Sequence, residues 1–176
     1  RTLLAHEDLI LADGAMSVKV RSGGGEAGLL LRIQDKDNYI AATYNPRGGT
    51  LSIREVADGK QVSHVNLKSS MDPRVTLSVQ FSGSMTILSA SNRKQNETLT
   101  LKSKRIRQAG SVGLFYHPGP TSPIHVAAPG RALQPNYLAR FDHFRVEDPD
   151  GREKGSDTFD ETTERAEGWR MMEGRW

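Results

Sequence analysis

The chain has 176 residues and no cysteine, with 36% hydrophobic residues and 24 lysines and arginines against 21 aspartates and glutamates, a formal net charge of +3. That length suits one domain with one well-filled core, the missing cysteine excludes disulfides, thiolate metal sites and cysteine nucleophiles, and so small a charge excess gives no argument for nucleic acid as a partner despite a pI near 9.3. No run approaches the roughly 18 consecutive apolar residues of a membrane span, and Arg1-Thr2-Leu3-Leu4 lacks the long apolar core of a signal peptide, so any export signal is expected to be removed or to lie outside this chain.

Taken in chain order, the sequence is a series of short alternating runs punctuated by Gly, Asn, Asp and Ser, with no long stretch of helical spacing. Met16, Val18 and Val20 alternate with Ser17, Lys19 and Arg21, and Ser22-Gly23-Gly24-Gly25 ends that strand. Ala27 to Gln34 is apolar apart from Arg32. Asp35-Lys36-Asp37-Asn38 then turns the chain into Tyr39 to Tyr44, which predicts a hairpin. Asn45-Pro46-Arg47-Gly48-Gly49 turns it again. Leu51, Ile53 and Glu55 share one face, and Asp58-Gly59 is a strong two-residue hairpin signal before Val62 to Leu67.

Val75, Leu77, Val79 and Phe81 alternate cleanly, Ser82-Gly83 turns, and Met85, Ile87 and Leu88 continue on the next strand, followed by a polar tip from Asn92 to Asn96. Leu99 and Leu101, then Val112, Leu114 and Tyr116, then Leu138, Phe141 and Phe144 supply further strands at a spacing typical of sandwiches. The fold class predicted is therefore all-β, an antiparallel two-sheet sandwich. Two segments break the rhythm. His117 to Pro135 carries five prolines and predicts a long loop, either functional or merely variable. Asp148 to Ser156 is polar and charged. The domain reading is a sandwich body over 1–147, a polar linker over 148–157 and a C-terminal segment over 158–176.

Several residue sets carry candidate chemistry. Arg32 offers a planar fork of donors, tyrosine faces stack on sugar rings, and carboxylates and amides bond hydroxyls. Arg32, Gln34, Asp37, Asn38, Tyr39 and Tyr44 are therefore the first candidate ligand contacts, with Tyr116 and the loop to Pro135 second. The alternative is that Arg32 pairs with Asp37 or Glu55 to hold the hairpin and that Asp35 to Asn38 is simply a good turn. Arg93, Lys94, Lys102, Lys104, Arg105 and Arg107 form a local basic cluster, either attractive to a polyanion or a solvated, guarded sheet edge. Nucleophile elbows, Gly-rich phosphate loops and His-Glu-x-x-His helices are absent, and the five histidines share no ligand spacing, so neither a cofactor nor a metal is expected.

The run Ala27 to Tyr39 with its Arg-x-Gln-Asp-x-Asp-Asn-Tyr hairpin, Gly113-Leu114-Phe115-Tyr116, and Arg140-Phe141-Asp142-His143-Phe144-Arg145-Val146 together resemble the concanavalin A-like, or laminin-G-like, jelly-roll domains of bacterial exported proteins. The resemblance covers most of residues 10 to 147 and implies fold more firmly than activity. In such domains an opening strand of the form Phe-Asp, Gly-Trp, Gly-x-Trp comes first. Here Phe159-Asp160, Gly168-Trp169 and Gly174-Arg175-Trp176 come last. A cut tandem repeat, a circular permutation or a missing part of a longer chain each account for this, and each predicts that Phe159 to Trp176 packs beside the sheet holding Met16 to Val20.

An enzyme on this fold would be a glycoside hydrolase or a polysaccharide lyase. The Glu-x-Asp-x-x-Glu strand of one hydrolase class is absent, and the adjacent Tyr116 and His117 point to opposite faces of a strand, which weighs against a lyase. The function expected is a non-catalytic carbohydrate-binding or adhesion-like module of a larger protein, extracellular or periplasmic in a bacterium. Its partners would be a polysaccharide or glycan and neighbouring domains of the longer chain. The alternatives are a glycoside hydrolase or hydrolase-associated domain, and a structural spacer in a repeat array.

Overall fold

The computed structural model describes residues 1–118, 139–159 and 168–173. Its strands are β1 (Thr2–Leu11), β2 (Gly14–Ser22), β3 (Glu26–Asp35), β4 (Asn38–Asn45), β5 (Thr50–Ala57), β6 (Lys60–Lys68), β7 (Arg74–Ser82), β8 (Met85–Ser91), β9 (Asn96–Lys102), β10 (Gly110–His117), β11 (Ala139–Glu147), β12 (Glu153–Asp157) and β13 (Trp169–Glu173). They form a seven-stranded sheet in the order β13-β1-β10-β3-β4-β5-β6 and a six-stranded sheet in the order β12-β11-β2-β7-β8-β9. Every pairing is antiparallel. The predicted two-sheet sandwich is the observed architecture. Leu138, most of the proline-rich loop, Asp160 and Gly174 to Trp176 lie outside the described residues.

Strand alternation builds the core. Met16, Val18 and Val20 on β2, Val75, Leu77, Val79 and Phe81 on β7, and Leu29, Leu31, Ile40, Ala42, Leu51 and Ile53 on the facing sheet are all buried between the sheets. Each of these side chains larger than alanine contributes roughly 1.5–3 kcal/mol of transfer free energy when fully buried. A second cluster sits on the other face of the seven-stranded sheet: Leu3, Ala5, Leu30, Ile33, Tyr39, Ala41, Val56 and Phe115. The apolar run at Leu29-Leu30-Leu31 follows from this, since a strand buried on both faces has no solvent side.

Two readings of the C-terminal third need correction. Residues 148–157, expected as a linker, are a turn and a strand. Asp148 accepts the backbone N–H groups of Asp150 and Arg152, Gly151 takes φ +77°, and β12 pairs with β11 at the edge of the six-stranded sheet. The segment is polar because an edge strand keeps one side in water, not because it is unstructured. The chain from Trp169 was expected beside the sheet holding Met16 to Val20. It instead adds β13 to β1, the edge of the opposite sheet, with Leu4 against Met171 and His6 against Trp169. Trp169 nevertheless bridges the layers. Its ring meets Phe144 at 5.0 Å and Phe159 at 5.6 Å, and its indole N–H donates to Asp157 at 2.9 Å.

Candidate functional site

Most of the hairpin residues singled out by sequence are bonded to other parts of the chain. A β-bulge interrupts β3, where pairing with β4 skips from Leu31 to Asp35 and Arg32 adopts a left-handed φ of +50°. The bulge breaks the alternation that would have set Arg32 beside Leu30, and turns the side chain into the space between the sheets. There it is fully buried and donates to the carbonyls of Ala12 at 2.8 Å and Ile106 at 3.2 Å and to Asp13 at 3.2 Å, with its guanidinium 5.5 Å from the centre of the Phe81 ring. Burial draws its pKa below the ordinary arginine value and Asp13 opposes that shift.

Neither Asp37 nor Glu55 is its partner. Glu55, also fully buried, accepts the backbone N–H groups of Lys104, Arg105 and Ile106 at 2.8, 2.8 and 2.6 Å. Arg32 and Glu55 thus grip the β9–β10 connection by its carbonyl and by its amides.

The remaining hairpin residues are bonded locally. Gln34 donates to the carbonyls of Arg32 and Ala109, Asp37 pairs with Lys36 at 2.7 Å, and Asn38 donates to Asp35 and accepts from the backbone of Asp58. Asp58 and Gly59 take φ of +53° and +70°, the twist that the Asp-Gly signal predicted. Tyr44 is buried and donates to the carbonyl of Met71, and Tyr116 packs against the core between the sheets.

Tyr39 alone of the seven belongs to a different surface, the outer face of the seven-stranded sheet. On that face the pairing sets His117 opposite Glu26, Gly28 opposite Thr43, Thr43 opposite Ser52, Ser52 opposite Asn66, and Arg54 between Ala41 and His64. Arg54 and Glu26 stand two strands apart, about 10 Å at the usual strand spacing. The Arg54 side chain closes that gap. It reaches Glu26 at 2.6 Å and lies 4.6 Å from the centre of the Phe115 ring, while Glu26 also accepts the Thr43 hydroxyl at 2.5 Å.

Two glycines let neighbouring strands approach closely beneath this crossing. A Cβ on Gly28 would lie 2.2 Å from the carbonyl oxygen of Ala42, and one on Gly113 would lie 1.9 Å from that of Leu4. Phe115, Thr43, Ala41 and Ala5 are buried on this face.

The two members of the ion pair are 18% and 15% exposed, so they keep partial access to solvent. On the same face Arg1 donates to the Tyr39 hydroxyl at 3.1 Å and pairs with Glu173 at 2.7 Å. Burial raises the Tyr39 phenol above its ordinary value, against the pull of Arg1 and Arg54. Burial lowers the His117 imidazole, helped by the positive charge at Arg1 and by Arg54 and opposed by Glu26. The groups on this face that keep access to solvent are a planar donor fork, a carboxylate, an amide and imidazoles, which can donate to and accept from hydroxyls. Sequence reasoning passed over Glu26, Thr43, Arg54 and Phe115 because nothing local relates them. The one legible signal was the pair of glycines, Gly28 and Gly113, each in an otherwise apolar strand.

Among the described residues no group of three or more His, Asp and Glu could hold a metal ion, and no helix is long and apolar enough to cross a membrane.

No protein-family model matches the chain, and no curated protein matches it in sequence. Solved structures do match in shape. A carbohydrate-binding module from Bacillus subtilis, CBM66, superposes with a TM-score of 0.53 at 16% identity over 61% of this chain and 68% of its own. Chicken galectin 2 gives 0.53 at 9% identity over 66% of this chain and 92% of its own. The GH43 protein BlXynB from Bacillus licheniformis gives 0.51 at 18% identity over 77% of this chain and 27% of its own. At such identities the likeness speaks to the fold alone, a jelly-roll β-sandwich.

Proposed function

We propose that this chain is a non-catalytic carbohydrate-binding module of a larger exported protein, and that its glycan lies on the outer face of the seven-stranded sheet. One observation carries the reading. Arg54 reaches across to Glu26 over Phe115, the same carboxylate accepts the Thr43 hydroxyl, and the ion pair keeps partial access to solvent. An arginine–carboxylate pair held against an aromatic ring presents fixed donors and acceptors to vicinal hydroxyls. His64, Asn66 and His117 are exposed on the same face and supply further amide and imidazole contacts. Arg32, Gln34, Asp37, Asn38, Tyr44 and Tyr116 are assigned to the fold instead.

The carbohydrate-binding module and the galectin of similar shape support the choice of ligand class. The test is a glycan array probed with the wild-type chain and with Arg54→Gln and Glu26→Gln, in the presence and absence of calcium. The expected result is a specific hit for the wild type that calcium does not alter and that both variants lose by roughly tenfold or more, since a hydrogen bond to a charged group is worth about 1.5–3 kcal/mol. A hit that survives both substitutions would move the site elsewhere. A blank array would favour a structural spacer. Cleavage of a polysaccharide, abolished by one Asp or Glu substitution, would favour a hydrolase.

A further inference from the structure

The outer face of the six-stranded sheet carries an arrangement that folding alone does not favour. Register pairs Arg140 on β11 with Arg21 on β2, and Arg21 with Arg74 on β7. All three are exposed, while Val20 and Val75 beside them are buried, so the three guanidinium groups project from the same face in one row. Neighbouring Cα atoms in such a row are separated by roughly the 4.8 Å strand spacing. Lys19 lies two residues from Arg21 on the same face, and Arg93 and Lys94 follow the end of β8 at its margin. These six cations line one broad cavity of about 1940 Å³. Among the described residues no side-chain hydrogen bond or ion pair neutralises any of the six.

Like charges directly opposite one another on neighbouring strands repel and lower stability. Protecting a sheet edge does not explain the row either, because β2 and β7 are interior strands in the order β12-β11-β2-β7-β8-β9. Nor does the basic cluster predicted from sequence stay together. Arg105 pairs with Asp58 at 3.1 Å and Arg107 donates to the carbonyl of Ser103, so Arg93 and Lys94 alone join the row. Two carboxylates border the cavity, Asp72 and Asp142, the latter bonded to His143 at 2.5 Å. Half-buried Phe141 and Phe159 supply apolar surface within it.

We propose that this face is a second binding surface, for an acidic polysaccharide that carries one carboxylate on each sugar. A guanidinium fork accepts a carboxylate through two parallel N–H···O bonds, and a row of one arginine per strand repeats at close to the length of one pyranose residue. The phosphates of an extended nucleic-acid strand are spaced more widely, and the chain's net charge of only +3 supplies little of the general attraction that nucleic-acid binding draws on. This surface lies on the opposite sheet from Arg54 and is independent of it.

The test is titration calorimetry with polygalacturonate, with its fully methyl-esterified form as the uncharged control and single-stranded oligo-dT as the rival polyanion. The wild type should bind polygalacturonate, roughly tenfold or more tighter than the ester. The affinity should fall steeply toward about 1 M salt, where the Debye length is about 3 Å. Arg21→Gln, Arg74→Gln and Arg140→Gln combined should lose at least that factor, whereas Arg105→Gln, at a residue that pairs with Asp58 away from the row, should retain full affinity. The thermal midpoint of the triple variant should equal or exceed that of the wild type, which a structural role for the arginines would not allow. Single Arg21→Gln provides the same comparison with the smallest change. Equal binding of the ester, equal binding by the triple variant, or tighter binding of oligo-dT would each overturn the proposal.

Discussion

Arg32→Met tests whether the buried guanidinium holds the sandwich together or waits for a ligand. Methionine keeps most of the aliphatic stem and removes the charged fork. Three hydrogen bonds disappear, to the carbonyls of Ala12 and Ile106 and to Asp13, along with the contact over Phe81. Asp13 suffers least. It is 40% exposed, regains water, and keeps the backbone N–H of Gly83 at 2.7 Å. Ala12 is exposed, so its carbonyl also recovers water, and the buried Ile106 carbonyl is the larger loss, at about 1–3 kcal/mol for an acceptor left without a donor. The fully buried Glu55, whose carboxylate stands on the other side of the same connection, also loses the favourable charge of Arg32. The expected destabilisation is about 2–5 kcal/mol, a large share of the 5–15 kcal/mol typical of a domain. Equilibrium urea unfolding followed by far-ultraviolet circular dichroism measures it, with an unchanged m-value as the sign that stability alone has moved. A change below about 1 kcal/mol would refute the reasoning, and with glycan binding lost at the same time it would return Arg32 to the list of contacts.

Gly113→Ala should destabilise by about 1–3 kcal/mol in the same assay, since the new Cβ would meet the Leu4 carbonyl of the adjacent strand at 1.9 Å and the strands must part. Arg21→Gln should raise stability by about 0.2–1 kcal/mol by removing the middle charge of the arginine row; a loss of stability would show that the row is structural. The His117 imidazole should titrate below the ordinary value of about 6.5 by proton NMR, because burial and nearby positive charge disfavour its cation. Since the folded state then holds its proton less tightly than the unfolded chain, the contribution of His117 to stability is complete above about pH 6.5 and declines as the pH falls from there toward the folded value. The wild type should accordingly lose thermal midpoint through that window relative to His117→Gln, and parallel curves would refute the assignment.

The sequence by itself determined the layered architecture and most of the turns. Alternation at Met16-Val18-Val20 and at Val75 to Phe81 can bury only one face of a strand, and the Asp-Gly pair at 58 and 59 permits the positive φ that its hairpin requires. The edges were less legible. Glu153–Asp157 reads as a linker because an edge strand needs no apolar alternation, and Trp169–Glu173 could add to either sheet because its pattern says nothing about which edge is free.

The candidate sites were decided by tertiary structure alone. At Arg32 a single bulge reversed the facing of the residue that sequence favoured most, since side chains alternate with a period of two and one extra residue inverts the count. Glu26, Thr43, Arg54 and Phe115 are separated by up to 89 positions and meet only through the order of strands β10-β3-β4-β5. The row Arg140, Arg21 and Arg74 likewise exists only through register. Local periodicity tells which face a residue takes, but which strands stand side by side is chosen by the packing of the whole sandwich, and the chemistry of this protein lies across its strands.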